Sequence, residues 1–334
     1  MKKVLIFGAT GAIGANASLA LKEHGYEVIA VSRRSSDNGF FREFGIPYHS
    51  VDITKPEDFS KIEDIKNIDT VIHLAGLLPA GMDGYHPELY FDSVLKGTFN
   101  VLNYIVKVGA KKIVFSHSRA DSNYLMDKGP IPSDIVRKFP PNNDHSIYTI
   151  CKNAAVDLIE HYYYRYGLNR FVLRFPTVYS YHPNKYFHVD GIKKVKAYRY
   201  LIDQAIAGND LEIWGDPSKA KEIVYIGDAL QLIEKCIESE KEGGIYNLGR
   251  GEAVTLEDQI RGIVDVFCEK DKKSRIIYRP DKPNAREFVH DISKTVDELG
   301  YHPMFDYHTM LMEMKKEMEL QRFKKLWGVE KDYE

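Results

Sequence analysis

The chain has 334 residues and a formal net charge of −2, from 46 lysines and arginines against 48 aspartates and glutamates. This length can bury a large core and suggests two lobes, and the balanced charge argues against nucleic acid or an anionic membrane as a partner. No apolar run approaches the ~20 residues of a membrane span, and the run behind Lys2 and Lys3 is too short for a signal peptide. The cysteines lie far apart without metal-ligand spacing, which indicates free thiols in a reducing cytoplasm and no metal site.

The chain opens with the pattern of a nucleotide-binding turn. An apolar run, Val4–Phe7, predicts a strand that stops at Gly8. Two more glycines follow, and the next segment, Ala15–His24, predicts a helix whose unpaired N–H groups and dipole can hold a pyrophosphate. The spacing is G-x-x-G-x-x-G rather than G-x-G-x-x-G, but strand, turn and helix are the context that this motif requires. The residues predicted to contact a cofactor here are Gly8, Thr10, Gly11, Ala12, Ile13 and Gly14.

Strand and helix patterns alternate through the first half of the chain. The predicted strands are Val4–Phe7, Val28–Ser32, Pro47–Val51, Thr70–Leu74, Lys112–Phe115 and Arg170–Leu173, and the helices include Gly97–Val108 and Ile147–Tyr166. Such alternation predicts an α/β fold, a Rossmann-type doubly wound parallel sheet with helices on both faces. Glu222–Glu238 and Tyr246–Leu248 predict a return to the sheet. We therefore expect an NAD(P)-binding domain of residues 1–176 with 222–250, and a smaller, mostly helical substrate-binding lobe of 177–221 with 251–334.

Ligands of doubly wound sheets lie outside the carboxyl ends of the strands. Four segments reach that edge, and each could also be an ordinary strand end. Asp52 and Ile53 follow the third strand and are predicted to lie beside the adenine. Small residues follow the fourth strand, a hydroxyl follows the fifth, and a proline that stops the sixth is predicted beside the nicotinamide. The residues are Leu74, Ala75 and Gly76 at the fourth strand, Ser118 at the fifth, and Pro176 at the sixth.

The end of the second strand bears on the choice of cofactor. An acidic residue there accepts hydrogen bonds from the adenosine 2′-hydroxyl and favours NAD, whereas arginine accommodates the 2′-phosphate of NADP. This chain has Ser32, Arg33 and Arg34, with no acid until Asp37. The sequence therefore favours NADP over NAD, with two solvated loop charges as the alternative interpretation.

The predicted chemistry centres on Tyr148 and Lys152. The two residues are four apart at the start of a predicted helix, so they share a face. A phenol has an ordinary pKa of ~10, and a nearby ammonium or an oxidised nicotinamide would lower it. Tyr148 is then a candidate general acid and base, Ser118 a partner of the reacting oxygen, and Lys152 a ligand of the nicotinamide ribose.

These motifs resemble an extended short-chain dehydrogenase/reductase, of the NAD-dependent epimerase/dehydratase type that acts on nucleotide sugars. The resemblance also rests on later segments, which are Gly97–Leu102, Tyr166–Leu168 with Leu173-Arg174, Ile213–Asp228, Tyr246–Gly249 and Asp291–Gly300. It covers nearly the whole chain. It implies the doubly wound fold, a nicotinamide cofactor and a nucleotide-sugar substrate. It also implies a homodimer built on the two long helices, with an apolar stripe of Val101, Ile105, Val156, Ile159 and Tyr163.

Departures from the family pattern bear on function. Val94 stands where the family often has Asn, and Arg119-Ala120 stand where dehydratases carry an acidic pair, which argues against dehydration. Lys221 replaces a diphosphate-binding Arg and loses its bidentate geometry, while Arg286 matches a second Arg or is a solvated charge. The loop Tyr179–Asp190 is expected over the open end of the cofactor site. The substrate candidates are Leu78, Ser118, Tyr179, Asn184, Lys221 and Arg286.

Three functions fit these residues. The first is a nucleotide-sugar epimerase that removes a hydride and returns it to the opposite face. The second is an NADPH-dependent reductase of a sugar or another carbonyl compound. The third is a binding protein without catalysis, since a fold does not imply a function. The presence of Ser118, Tyr148 and Lys152 weighs against the third.

Overall fold

A computed structural model describes residues 1–79, 84–141, 145–189 and 192–334. Its centre is a sheet of seven strands, all paired in parallel. The strands are β1 (Lys3–Phe7), β2 (Glu27–Ser32), β3 (Tyr48–Ser50), β4 (Thr70–His73), β5 (Lys112–Ser118), β6 (Asn169–Phe175) and β7 (Gly243–Asn247). They lie in the order β3-β2-β1-β4-β5-β6-β7. The predicted doubly wound fold is confirmed.

The strand order reverses at β1, which places a crevice at the carboxyl end of that strand. Phe7, the last residue of β1, lies opposite Val31 of β2 on one side and His73 of β4 on the other. The chain continues from β1 to β2 in one direction and from β3 back to β4 in the other. Ligands of such sheets bind at this point, and Gly8 is the first residue beyond it.

Helices cover both faces of the sheet and form much of the second lobe. They are α1 (Ala12–Glu23), α2 (Phe40–Glu43), α3 (Pro87–Tyr90), α4 (Gly97–Val108), α5 (His145–Tyr166), α6 (Ala197–Ala207), α7 (Ile226–Glu238), α8 (Leu256–Phe267), α9 (Ser293–Leu299), α10 (Tyr307–Leu320) and α11 (Lys324–Trp327). Tighter 3₁₀ turns span Pro56–Lys61, Arg119–Leu125 and Glu330–Tyr333, and Phe91–Lys96 is a π-helix that runs into α4. None of the helices in the described ranges is long and apolar enough to cross a membrane.

Alternate residues of β1 belong to two apolar clusters on opposite faces of the sheet. Val4 and Ile6 pack with residues of α1 and α7, whereas Leu5 and Phe7 pack with residues of α4 and α5. A strand buried on both faces needs apolar residues at every position. This explains the uninterrupted run that predicted the strand.

The prediction that the apolar stripe on α4 and α5 is exposed to a partner chain is wrong. Val101, Ile105, Val156 and Ile159 are all buried in the cluster between α4, α5 and the sheet of the same chain. Tyr163 hydrogen-bonds Glu242 and lies beside the guanidinium of Arg170. Helical periodicity shows that one face is apolar, but not whether a sheet or a partner chain covers it.

Predicted boundaries shift where polar residues end an element. Helix α4 has the predicted bounds, while α1 begins three residues earlier because Gly11 is already its N-cap. Strand β5 runs to Ser118 and β6 to Phe175, past their predicted ends, and these two residues are paired. Most of Glu222–Glu238 is helix α7 rather than strand. The extra length of β5 carries its polar residues, including Ser118, to the sheet edge.

The second lobe has its own apolar cluster, drawn largely from α6, α8 and α10. Five pairs of short strands accompany it. They are Val178–Tyr179 with Val224–Tyr225, Tyr186–Val189 with Ile192–Val195, Leu211–Trp214 with Ile276–Arg279, Ala220–Lys221 with Val254–Thr255, and Pro130–Ile131 with Val289–His290. Only Pro176 and Thr177 separate Val178–Tyr179 from the carboxyl end of β6, so these short strands adjoin the carboxyl edge of the sheet.

Candidate active site

The glycine turn brings β1, α1 and the end of β4 closer than side chains would allow. Gly8 has a φ of +86°, and a Cβ there would lie 2.8 Å from the backbone of Leu74 and Ala75. A Cβ on Gly14 would lie 2.2 Å from the carbonyl oxygen of Gly8. Gly11 caps α1 without a side chain, so the first amides of the helix, including those of Ala12 and Ile13, have no side-chain cap. This cradle fits a pyrophosphate.

Two hydroxyl groups connect the glycine turn to the end of β2. Oγ1 of Thr10 lies 2.6 Å from Oγ of Ser32, and both residues are buried. Asp37 is also buried, and its carboxylate accepts the backbone N–H groups of Gly39 and Phe41. Asp37 therefore supports α2 and leaves no acid for a ribose hydroxyl, while Arg33 is exposed at the end of β2.

Residues that follow β3 and β4 form the floor at this edge of the sheet. Asp52 accepts hydrogen bonds from the backbone and hydroxyl of Thr54. Ile53 packs against Gly97, where a Cβ would lie 2.7 Å from its Cδ1, and its carbonyl accepts Nδ2 of Asn100 at 2.8 Å. The backbone of Leu74 bonds back to Phe7. The structure thus assembles the predicted strand-end residues at one edge.

A C-terminal segment, which sequence reasoning missed, covers the glycine turn. Nε1 of Trp327 donates to the carbonyl oxygen of Thr10 at 2.9 Å, and the ring centroids of Trp327 and His182 lie 4.5 Å apart. NH1 of Arg34 donates to the carbonyl oxygen of Leu326 at 2.7 Å. No spacing along the chain predicts a contact between residues 10 and 327.

Ser118 and Tyr148 meet at the end of β5. The Ser118 hydroxyl accepts the N–H of Ala120 at 3.2 Å, which fixes the turn after the strand. Burial raises the pKa of Tyr148 above its ordinary value, and a hydrogen bond with Ser118 opposes this shift. The ring of Tyr90 packs edge-on against Tyr148 at 6.0 Å. The phenol is therefore protonated at neutral pH when the site holds no cofactor.

Lys152 lies on the same face of α5 but contacts the strand rather than the phenol oxygen. Its Nζ donates to the carbonyl oxygen of Ser116 at 2.5 Å and lies 4.4 Å from the Phe115 ring centroid. The Tyr148 ring centroid is 5.9 Å away. Burial lowers the pKa of Lys152 to about 7. Lys152 is not among the groups that shift the pKa of Tyr148, so the expectation that this ammonium lowers it finds no support.

A buried ionic network lies beneath these residues, and the sequence did not reveal it. The Asp121 carboxylate accepts hydrogen bonds from the guanidinium of Arg174 at 3.1 and 3.2 Å and lies 2.9 Å from Nε2 of His117. Arg174 also donates to Oδ1 of Asn247 at 3.0 Å. The network joins the carboxyl ends of β5, β6 and β7, and so holds Ser118 in place.

The predicted substrate residues divide into two groups. Tyr179 is buried against Tyr198, with ring centroids 4.8 Å apart, and Lys221 is half-buried. The backbone of Lys221 pairs with that of Val254, but its ammonium has no hydrogen bond or ion pair among the residues that the structure describes. Pro176, a predicted cofactor residue rather than a substrate residue, is buried and directly follows Phe175, the last residue of β6.

The remaining candidates have other contacts or lie in solvent. Oδ1 of Asn184 accepts the N–H of Tyr186 and shapes its own turn, while Leu78 is 59% exposed. Arg286 is exposed and pairs with Asp127 at 2.6 Å. Asp190, the last residue of the predicted substrate loop, lies outside the described residues. Within those residues, no cluster of three or more His, Cys, Asp and Glu side chains could hold a metal ion.

The strand order, the glycine turn and the Ser118–Tyr148–Lys152 group define an extended short-chain dehydrogenase/reductase. Within this class, the model of the NAD dependent epimerase/dehydratase family matches residues 4–249. The chain belongs to that family, and the resemblance seen in the sequence is confirmed.

Curated relatives and solved structures agree with this assignment. The chain is 27% identical over 311 residues to UDP-glucuronate 4-epimerase of Thermodesulfobacterium geofontis, covering 90% of each chain. It is 26% identical over 338 residues to UDP-glucose 4-epimerase 2 of Oryza sativa, covering 93% of this chain and 80% of the relative. The crystal structure of UDP-glucose 4-epimerase from Thermotoga maritima aligns with a TM-score of 0.77 at 21% identity, over 96% and 99% of the two chains.

The burial of Lys152 predicts that this residue destabilises the cofactor-free protein. Because the folded state lowers its pKa from 10.5 to about 7, the unfolded chain binds the proton more tightly between these values. The free energy of unfolding of the wild type therefore rises with pH across this interval. At pH 7 this shift of between three and four units costs ~4 kcal/mol, and the hydrogen bond to Ser116 offsets ~1–3 kcal/mol of this cost.

Lys152→Met should raise the free energy of unfolding in urea by about 1–3 kcal/mol at pH 7. The gain should shrink as the pH rises towards 10. The exposed Lys111, just before β5, provides the control, and Lys111→Met should stay within about 0.5 kcal/mol of the wild type. An unchanged stability at pH 7, or a gain that does not vary with pH, would contradict the account.

Proposed function

We propose that the protein is an NAD(P)-dependent epimerase that inverts a carbon of a nucleotide sugar through a transient keto intermediate. The observation that carries the proposal is the Ser118–Tyr148 pair at the sheet edge, with Lys152 buried behind it. The same edge carries the glycine turn. Curated relatives named as UDP-sugar 4-epimerases support carbon 4 as the reacting centre.

Each side chain of the group has a distinct role in this proposal. Ser118 hydrogen-bonds the reacting oxygen, and Tyr148 takes the hydroxyl proton and later returns it. When bound, the oxidised cofactor supplies a hydride acceptor and a positive charge beside the phenol. A positive charge there opposes the effect of burial on the pKa of Tyr148 and favours the phenolate. Lys152 binds the nicotinamide ribose and keeps the end of β5 in place.

Lys221 is the proposed anchor for the diphosphate. Its ammonium is half-buried, and burial lowers its pKa, with the charge of Arg119 adding to the shift. An anionic ligand favours the charged form of Lys221 and accepts charge-assisted hydrogen bonds from it. Arg286 is a weaker candidate because Asp127 already pairs with it.

A reductase that uses NADPH is the second candidate. The observation that favours it is the end of β2, where Arg33 and Arg34 follow Ser32 and the carboxylate of Asp37 is bonded to the backbone at the start of α2. An epimerase regenerates its cofactor in each turnover, whereas a reductase must exchange it. Retention of the cofactor through desalting favours the epimerase, and free exchange favours the reductase.

Tyr148→Phe tests the catalytic assignment. Loss of the phenol oxygen should lower kcat for the interconversion of UDP-sugar 4-epimers by ~10²–10⁴ while the cofactor still binds, since general acid–base groups contribute this much. Tyr164 lies on the same helix with 82% of its surface exposed, so Tyr164→Phe is the matched control. Turnover near that of the control would remove Tyr148 from the mechanism.

We propose NADP as the preferred cofactor, with Arg33 as the principal ligand of the 2′-phosphate. Arg33 is exposed, whereas Arg34 donates to the carbonyl of Leu326. Arg33→Ala should weaken NADPH binding tenfold or more and NADH binding little, because a charge-assisted contact contributes ~1.5–3 kcal/mol. Calorimetric titration of both cofactors measures this, with Arg42→Ala of α2 as the control. Equal losses for both cofactors would contradict the assignment.

We further propose a homodimer, formed through a face other than the predicted stripe. Phe91 and Phe99 are about half exposed, and they line an apolar groove with Leu95, Ala154 and Leu158. A second copy that presents the same face covers it by two-fold symmetry. Phe99→Asp should convert a dimer into a monomer in light scattering. A monomeric wild type at micromolar concentration would contradict this proposal.

The cysteines support a cytoplasmic location, which remains part of the proposal. Cys151 and Cys236 are buried and Cys268 is half-buried, and all three are free thiols. Free thiols of this kind persist in reducing compartments.

A further inference from the structure

A half-buried arginine directly follows the hydroxyl residue of the candidate active site. Arg119 begins the 3₁₀ helix Arg119–Leu125, and the Ser118 hydroxyl caps this helix by accepting the N–H of Ala120. The backbone between the two residues is therefore fixed. The Arg119 side chain starts next to the hydroxyl that contacts Tyr148, yet the reaction derived above makes no use of its guanidinium.

The guanidinium of Arg119 lies on the substrate side of the cleft. Its central carbon is 4.3 Å from the centroid of the Phe288 ring, and the backbone of Phe288 bridges to that of Lys221. Burial raises the pKa of Tyr179 and the charge of Arg119 opposes this rise, while burial lowers the pKa of Lys221 and the same charge lowers it further. Arg119, Tyr179 and Lys221 therefore form one electrostatic cluster.

One edge of this guanidinium is open. NH1 donates to Oδ1 of Asn123 at 2.7 Å and contacts Sδ of Met126 at 3.7 Å. Nε and NH2 have no hydrogen-bond partner within the part of the chain that the structure describes. Two N–H groups side by side are the fork that binds a carboxylate through parallel hydrogen bonds. The open edge can therefore accept a planar anion.

Among the described residues, no carboxylate pairs directly with the positive charge of this cluster. Glu222, the acid that acts on Arg119, is bonded to His290 and accepts the N–H groups of Arg250 and Gly251. Within the described ranges, neither Arg119 nor Lys221 forms an ion pair. Desolvated charges without a partner are costly. The arrangement is therefore suited to more than one anionic group of a ligand.

We infer that Arg119 binds a carboxylate on the sugar, and that the substrates are nucleoside diphosphate hexuronates rather than neutral hexoses. This inference rests on the proposed function, in which Lys221 anchors the diphosphate and Ser118 holds the oxygen on carbon 4. The carboxylate carbon of a hexuronate is attached to carbon 5, the neighbour of the reacting carbon. It therefore lies on the part of the sugar that faces the residue after Ser118. The hydroxymethyl group of a neutral hexose would leave the guanidinium without a counter-ion.

Paired kinetics on UDP-glucuronate and UDP-glucose test the inference. The wild type should have a kcat/KM at least tenfold higher for UDP-glucuronate, and Arg119→Met should reduce this ratio at least tenfold. Arg119→Lys keeps the charge without the fork, so its ratio should lie between those two. Lys221→Met should weaken the binding of UDP alone, whereas Arg119→Met should change UDP binding much less. Arg275→Met, at an exposed ion pair with Asp210, is the matched control.

Two outcomes would overturn the inference. One is a wild type that converts UDP-glucose at least as well as UDP-glucuronate, and the other is a ratio that Arg119→Met leaves unchanged. A wild type that converts neither substrate counts against the proposed function instead. Calorimetry then tests the carboxylate site alone. The wild type should bind UDP-glucuronate at least tenfold more tightly than UDP-glucose, whereas Arg119→Met should not show this difference in affinity. Equal affinities would overturn the inference.

Discussion

The close approach of Gly14 to the carbonyl of Gly8 is the constraint on which the rest of the site depends. A Cβ at Gly14 would lie 2.2 Å from that oxygen, so only glycine lets α1 start directly against β1. The helix then begins where the strand order reverses, with its first amides uncapped. A Cβ at Gly8 would lie 2.8 Å from the backbone that follows β4, which also excludes a side chain there. Strand, helix and strand thus converge on one point, and a dinucleotide can lie across it.

Buried polar groups lie at the carboxyl edge of the sheet, near Tyr148, and their burial lowers the stability of the fold. Burial lowers the pKa of Lys152 to about 7, and burial together with Lys152 lowers that of His73 to about 3. Both side chains are therefore held where their charged forms are disfavoured. The network of Asp121, His117 and Arg174 satisfies most of its buried polar atoms within one cluster, which limits the penalty. The two apolar clusters on the faces of the sheet offset the remainder.

Local patterns were enough to predict the sheet, the glycine turn and the Tyr148–Lys152 face. They depend on short apolar runs, on the helical period of 3.6 residues and on the parallel order that alternation implies. Other features depend on tertiary contacts. The sequence showed that Val101 and Ile105 form an apolar face, but not that the sheet of the same chain covers it. It also gave no sign that Trp327 reaches Thr10, since 317 residues separate them.

The central claim is that one site removes a hydride from carbon 4 and returns it to the same molecule. A UDP-sugar that carries deuterium at carbon 4 tests this most directly. Incubated with the holoenzyme and an excess of unlabelled free cofactor, it should give a 4-epimer that retains the deuterium at carbon 4, as read by mass spectrometry and NMR. Loss of the label to the free cofactor, or accumulation of a reduced or oxidised sugar, would contradict the account and favour a reductase.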